Sequence, residues 1–187
     1  MVNTFTPNLD EKAGNLTTSN DSHRHIHEGN FYSAKVADTS MTVNDTLRIC
    51  FKTPNTTKWM HMLADYTGKA AGYFSIVEGA TWTASTGTQL VPRNGDRNST
   101  NTTGALEDTT GTFTASKVLY NPTGYSTVAG TTIVTVYNFA AKSVLDRMRD
   151  EEELVLDQNQ TYAFEYRATA ASNAGELHLN WYEVTNR

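Results

Sequence analysis

The sequence has few of the residues that build disulfides, metal cages or membrane spans. Among its 187 residues there is a single cysteine, Cys50, so an internal disulfide and the usual closed Cys/His zinc site are both excluded. Hydrophobic residues make up 38% of the chain, and no window approaches the ~20 continuous apolar residues that cross a bilayer. We therefore expect a soluble protein with no membrane partner.

An excess of basic charge is also missing. The chain has 20 acidic and 15 basic side chains, a net charge of -5, and a pI near 5.5. This balance argues against a surface built to neutralise phosphates, so we do not expect a nucleic-acid partner. The first residues lack the basic start and apolar run of a secretory signal, which predicts synthesis in the cytoplasm.

Catalytic signatures are absent as well. The sequence contains no GxxxxGK[ST], GxGxxG, GxSxG, HExxH or SxxK pattern in a convincing context, so we expect neither enzymatic activity nor a cofactor. Paired carboxylates of the glycosidase kind stay an open alternative, because four acidic residues can converge in space: Glu78, Asp108, Glu165 and Glu183. An acidic residue in a strand more often faces solvent.

What the sequence does contain is a series of short β-branched and aromatic segments. Residues 1–29 are polar, without a helical period, and predict an extended N-terminal arm. Residues 30–187 predict one all-β domain, a two-sheet sandwich with jelly-roll topology favoured over an immunoglobulin-like order. The expected strands lie at 31–36, 46–52, 58–66, 72–77, 88–91, 113–120, 131–139, 161–169 and 176–184.

Two segments predict more than a strand's existence. In 46–52, Leu47, Ile49 and Phe51 alternate with polar residues and indicate one buried face. Segment 58–66 is apolar on both faces, which predicts a central strand.

Residues 140–148 instead have apolar side chains at helical spacing and predict a short surface helix before the acidic run 150–153.

The densest local feature is the run from His23 to His27. In an extended arm His23, His25 and His27 would project from one side at period two. That face is suited to a zinc or nickel ion, or to a polar contact or symmetry-axis cluster between subunits. We favour the contact, since a complete metal site needs further ligands.

A second candidate is the loop that contains Arg93 and Arg97. Two guanidinium groups among turn-forming residues are suited to clamping the carboxylates of a partner protein. The alternative is a solvated loop held by side-chain to backbone hydrogen bonds of its Asn, Asp and Ser residues. Among the aromatic residues, Trp82 is the best candidate for a sugar-stacking platform, although most large rings in such a domain form core or interface.

Several motifs together resemble a group of small virion structural proteins of tailed bacteriophages. The resemblance covers 25–183, and the segments that carry it are 27–29 (HEG), 53–59 (TPNTTKW), 77–81 (VEGAT), 93–102 (RNGDRNSTNT), 151–156 (EEELVL), 158–162 (QNQTY) and 180–183 (NWYE).

This resemblance implies a capsid decoration, or cement, protein on the exterior of the virion. Its partner would be the major capsid protein and its oligomeric state a homotrimer, while the arm would lie across neighbouring shell subunits. For such a protein, the candidate contacts are the residues singled out above from their own chemistry: His23, His25, His27, Arg93 and Arg97. The alternative is a tail or fibre module that binds a carbohydrate or receptor through Trp82.

Overall fold

The computed structural model describes residues 21–105, 118–138, 144–147 and 153–185. These residues form one helix and twelve strands: α1 (Asp21–His27), β1 (Phe31–Met41), β2 (Thr46–Lys52), β3 (Lys58–Gly68), β4 (Gly72–Glu78), β5 (Thr88–Leu90), β6 (Arg93–Asn94), β7 (Val118–Tyr120), β8 (Thr131–Asn138), β9 (Val144–Arg147), β10 (Leu154–Leu156), β11 (Thr161–Ala168) and β12 (Asn173–Thr185). Among the described residues no helix is long and apolar enough to span a membrane.

The strands form two antiparallel sheets that pack face to face. Sheet 1 has the order β10-β3-β12-β1-β6, with β9 beside β10 on the same edge of β3, and sheet 2 has the order β5-β7-β2-β11-β4-β8. When the short strands β5, β6, β7 and β9 are set aside, the orders β1-β12-β3-β10 and β2-β11-β4-β8 are those of a jelly roll, two Greek keys folded together. The predicted all-β sandwich is confirmed.

The core between the sheets contains stacked aromatic rings among its aliphatic residues. Phe51 of β2 stacks on Phe164 of β11 at 5.7 Å between ring centroids, and on Trp181 of sheet 1 at 6.4 Å. At the other end Tyr66 of β3 stacks on Phe74 of β4 at 4.8 Å. Each such pair stabilises by about 0.5–1.5 kcal/mol beyond the area that it buries, so these rings join the two sheets.

Two glycines of sheet 1 leave the space that the ring of Tyr166 needs. A Cβ on Gly68 or Gly175 would overlap the ring of Tyr166, which is fully buried. Gly68 and Gly175 are paired across β3 and β12, so the ring lies against a strip of bare backbone. Close approach of a side chain to a strand is one of the few reasons for glycine within a sheet.

The strand predictions hold where the pattern is local. Strand β2 has the predicted bounds, and Leu47, Ile49 and Phe51 point into the core. Strand β3 is central, as predicted. Cys50, predicted on the polar side of β2, is buried too, because Trp82 and Tyr125 from the β4–β5 and β7–β8 connections pack over that face.

Two backbone predictions are wrong. Residues 144–147, predicted as part of a helix, form β9 and pair with β3, because an open strand edge offers a whole ladder of hydrogen bonds that a short helix cannot match. Residues 21–27, predicted as extended, form α1. Residues 1–20 of the predicted arm, 140–143 and 148 of the predicted helix, and 113–117 of the predicted strand lie outside the described residues.

Candidate functional site

Helix α1 divides the three N-terminal histidines between two faces. His23 and His27 are exposed, and their Nε2 atoms lie 3.2 Å apart. His25 is only 3% exposed and faces the opposite way. The predicted single row of three imidazoles is therefore wrong, since at 3.6 residues per turn positions i and i+4 share a face while i+2 lies opposite.

His25 belongs to a column of rings on the outer face of sheet 1. It stacks on Tyr182 at 4.3 Å, and Tyr182 stacks on His61 at 4.7 Å. The Nδ1 atom of His25 lies 2.9 Å from a carboxylate oxygen of Glu28. This column attaches α1 to the sandwich, so His25 has a packing role rather than an exposed contact role.

Glu153 holds the other end of the column. Its Oε1 atom lies 2.6 Å from Nδ1 of His61 and accepts a hydrogen bond of 2.7 Å from the Tyr182 hydroxyl. The Nε2 atom of His61 is buried and has no hydrogen-bond partner among the described residues. Sequence reasoning missed this group, because only the pairing of β3 with β10 and β12 brings the three residues together.

Arg93 and Arg97 lie beside a groove at the edge of the sandwich. The groove has a volume of about 710 Å³, and its basic lining residues are Lys35, Arg93, Arg97 and His178. Both arginines are exposed. Within the described part of the chain neither forms an ion pair, whereas Lys35 is 2.8 Å from Glu176.

The loop that presents the arginines is held rigidly by its own side chains. Asn94 Oδ1 accepts a hydrogen bond from the amide of Asp96, and Asp96 Oδ1 accepts one from the amide of Asn98, each at 2.9 Å. Asn94 and Asn101 also donate to the Gly29 carbonyl, at 2.8 and 3.2 Å. The side-chain to backbone hydrogen bonds expected for a solvated loop are therefore present, and they fix the backbone between the two arginines.

Of the four acidic residues considered for paired catalytic carboxylates, the three that the structure describes each have their own hydrogen-bond or ion-pair partner. Glu78 accepts a hydrogen bond of 2.8 Å from the Tyr162 hydroxyl, and Glu165 lies 3.2 Å from Nε of Arg48. Glu183 belongs to the other sheet and accepts a hydrogen bond from the Gly104 amide. Asp108 lies outside the described residues. The described carboxylates therefore brace the fold, each at its own place.

Several of the large aromatic rings lie in the interior and not on an exposed platform. Tyr162, Tyr166 and Trp181 are at most 1% exposed. Trp82 is half-buried and packs against a small apolar cluster that includes Cys50. Burial raises the pKa of the Cys50 thiol well above its usual value, which disfavours the reactive thiolate.

No cluster of three or more His, Cys, Asp or Glu side chains has a metal-binding arrangement among the residues that the structure describes.

The comparisons with protein-family models, curated proteins and solved structures find no match to this chain. What the fold and the site define is a class: a jelly-roll domain with a rigid, two-arginine loop at its edge. The resemblance to virion proteins stays a prediction.

Proposed function

We propose that this chain is a structural binding protein of a virus particle, which attaches to the outside of the capsid and stabilises the shell. In this proposal the groove beside Arg93 and Arg97 binds an acidic surface of the major capsid protein. The observation that carries the proposal is the pair of exposed arginines without ion-pair partners among the described residues, on a loop whose backbone is fixed.

The charge distribution supports a protein partner with a local acidic patch. The chain as a whole has a net charge of -5, so a broad polyanion would be repelled by most of its surface. The positive charge of the groove comes from Arg93 and Arg97, because Lys35 in its lining is already paired with Glu176. Guanidinium groups bind carboxylates through two parallel hydrogen bonds, and a rigid loop loses little entropy when they do so.

The fold supports the proposal by analogy only. Jelly rolls are common in viral capsid proteins and in lectins, and fold by itself does not determine function. A stabilising protein needs no chemistry, because binding to the assembled shell alone shifts the equilibrium towards the shell. We further propose that the protein acts as a homotrimer at the capsid exterior, as the resemblance implies.

Co-sedimentation with capsid shells tests the groove. Shells of the major capsid protein from the same genome are mixed with the purified chain and pelleted, and the bound fraction is measured against concentration. We expect Arg93→Ala/Arg97→Ala to weaken binding at least about tenfold, since interface arginines are frequent hot spots. Lys69→Ala removes an exposed cation in the β3–β4 turn and should leave binding unchanged.

The same experiment separates the alternatives. Equal binding by the double variant and the wild type would remove the groove from the proposal. If the wild type does not bind shells at all but binds glycans on an array, and Trp82→Ala abolishes that binding, the receptor-binding alternative replaces the capsid role.

A further inference from the structure

We propose that His23 and His27 form a two-ligand site for a divalent ion of the later first-row transition metals, Ni²⁺, Cu²⁺ or Zn²⁺. The observation behind the proposal is the separation of 3.2 Å between their Nε2 atoms. Two imidazole nitrogens bound to one metal ion at ~2.0–2.1 Å lie about 2.9 Å apart at a right angle and about 3.4 Å apart at the tetrahedral angle. The helix therefore holds the two donor atoms at the spacing that chelation requires.

The two rings are also oriented and accessible for binding. Their planes are inclined at 83°, with centroids 4.6 Å apart, so the two rings do not overlap face to face. Both side chains are exposed, which leaves the remaining coordination positions to water. Of the two facing Nε2 atoms, one carries the proton that lies between them. When the ion binds, the proton of that ring moves from Nε2 to Nδ1, so that both rings present an Nε2 lone pair to the metal.

His25 takes no part in this site. It is buried on the other face of α1, where it stacks on Tyr182. Arg24 of α1 and Glu28, the first residue after the helix, lie 3.8 Å apart and largely cancel each other's field. The site is thus defined by position i and i+4 of one helix, which distinguishes it from chelation by three histidines of an extended arm.

A metal bound here would stabilise α1. The helix has seven residues, and isolated helices of this length are not stable in water. A metal ion that bridges adjacent turns stabilises the helical conformation by binding only to it. Because His25 attaches the helix to sheet 1, the ion would also strengthen the attachment of the segment that precedes the sandwich.

Isothermal titration of the untagged chain with NiCl₂ tests the proposal. We expect one ion per chain, and a loss of affinity of about tenfold or more in His23→Ala and in His27→Ala, since each removes half of the protein ligands. His25→Phe keeps a ring to stack on Tyr182 but removes the nitrogens, and it should bind Ni²⁺ like the wild type. Mg²⁺, which prefers oxygen ligands, should give no binding.

The outcomes distinguish chelation by His23 and His27 of the helix from chelation by three histidines of an extended segment. Equal weakening by all three single variants would show chelation by an extended segment and overturn the proposal. Undiminished Ni²⁺ binding in His23→Ala/His27→Ala would place the ion elsewhere and overturn it as well. Far-ultraviolet circular dichroism of each variant, and a parallel shell-binding assay, separate a loss of metal from a loss of fold or of the proposed capsid contact.

Discussion

Glu183 is a buried carboxylate, 3% exposed, at the end of the core of the sandwich. It accepts hydrogen bonds from the Thr103 hydroxyl, from the Gly104 amide at 2.9 Å and from the indole Nε1 of Trp181 at 3.2 Å. A buried charge is tolerated only when donors surround it in this way. The residue therefore fastens the segment before position 105 to β12, the strand that contains Glu183.

Removing this carboxylate should destabilise the protein. In Glu183→Ala the Gly104 amide is left without an acceptor, which costs about 1–3 kcal/mol, and the Trp181 indole N–H keeps only its longer hydrogen bond of 3.3 Å to the Thr103 hydroxyl. We expect the free energy of unfolding, measured by urea titration, to fall by about 2–4 kcal/mol. Glu176→Ala is the matched control on the same strand: its carboxylate is partly exposed and pairs with Lys35, so the loss should stay below about 1 kcal/mol. Equal losses in the two variants would contradict this role.

Tyr32 makes the stability depend on alkaline pH. Burial, and then the charge of Glu183, raise the pKa of its phenol from 10.0 to about 12. Below pH 10 the phenol is neutral in both the folded and the unfolded chain and has no effect. As the pH rises from 10 through 12, the unfolded chain loses this proton first, so the folded state loses stability.

Comparison with Tyr32→Phe isolates this contribution. The difference in unfolding free energy between the wild type and the variant should be constant up to about pH 10 and should then shift in favour of the variant up to about pH 12. Other buried tyrosines with raised pKa values, such as Tyr162 and Tyr166, add a slope common to both proteins. Parallel curves throughout this range would show that Tyr32 does not contribute.

At the scale of elements, β8 is the strand with the least protection. It is the last strand of sheet 2, and among the described residues no strand pairs with its outer edge. Ile133, Val136 and Tyr137 are 42%, 37% and 58% exposed, and the strand has no charged residue or proline. Such an edge is a template for pairing with another chain.

A charge on this strand should suppress self-association. Ile133→Lys is expected to lower the rate of aggregation on heating, followed by light scattering, while the unfolding free energy changes by no more than about 0.5 kcal/mol. Val128→Lys places the same charge at a 95% exposed position before the strand and should not change the rate. Similar aggregation of Ile133→Lys and the wild type would mean that this edge is covered.

Elements were predictable where the pattern is local and not where it depends on pairing. The alternation in β2 is visible in seven consecutive residues, and both its bounds and its core face follow from it. Strand β6 has two residues and β10 has three, too few for a period, and each exists because a longer strand pairs with it. Strand β9 was misjudged for the same reason: its spacing is helical, but its partner β3 supplies the hydrogen bonds.

In the candidate site, too, the features that depend on local sequence were predictable, and those that depend on strand pairing or on the helix were not. Arg93 and Arg97 were predictable as a loop pair, because Asn, Asp and Gly mark the loop in the sequence itself. The groove beside them was not, since Lys35 and His178 reach it only through the pairing of β1 with β12. The histidines were predictable as a cluster, but their division between two faces depends on a helix that the polar sequence does not indicate.

At the scale of the whole molecule, the connection from β4 to β8 extends both sheets on one side. Strand β6 widens sheet 1 next to β1, while β5 and β7 widen sheet 2 next to β2. The groove beside Arg93 and Arg97 is lined by residues of the added strands β5 and β6, together with residues of β1. Arg93 and Arg97 therefore lie on an addition to the jelly roll, whereas Lys35 and His178 of the same groove come from its eight strands.

Cryo-electron reconstruction of the virus particle whose genome encodes this chain tests the central proposal most directly. The account predicts jelly-roll density on the outside of the shell at threefold or quasi-threefold positions, with the loop of Arg93 and Arg97 against the major capsid protein. Density confined to the tail or a fibre, or a particle that lacks this chain altogether, would contradict it.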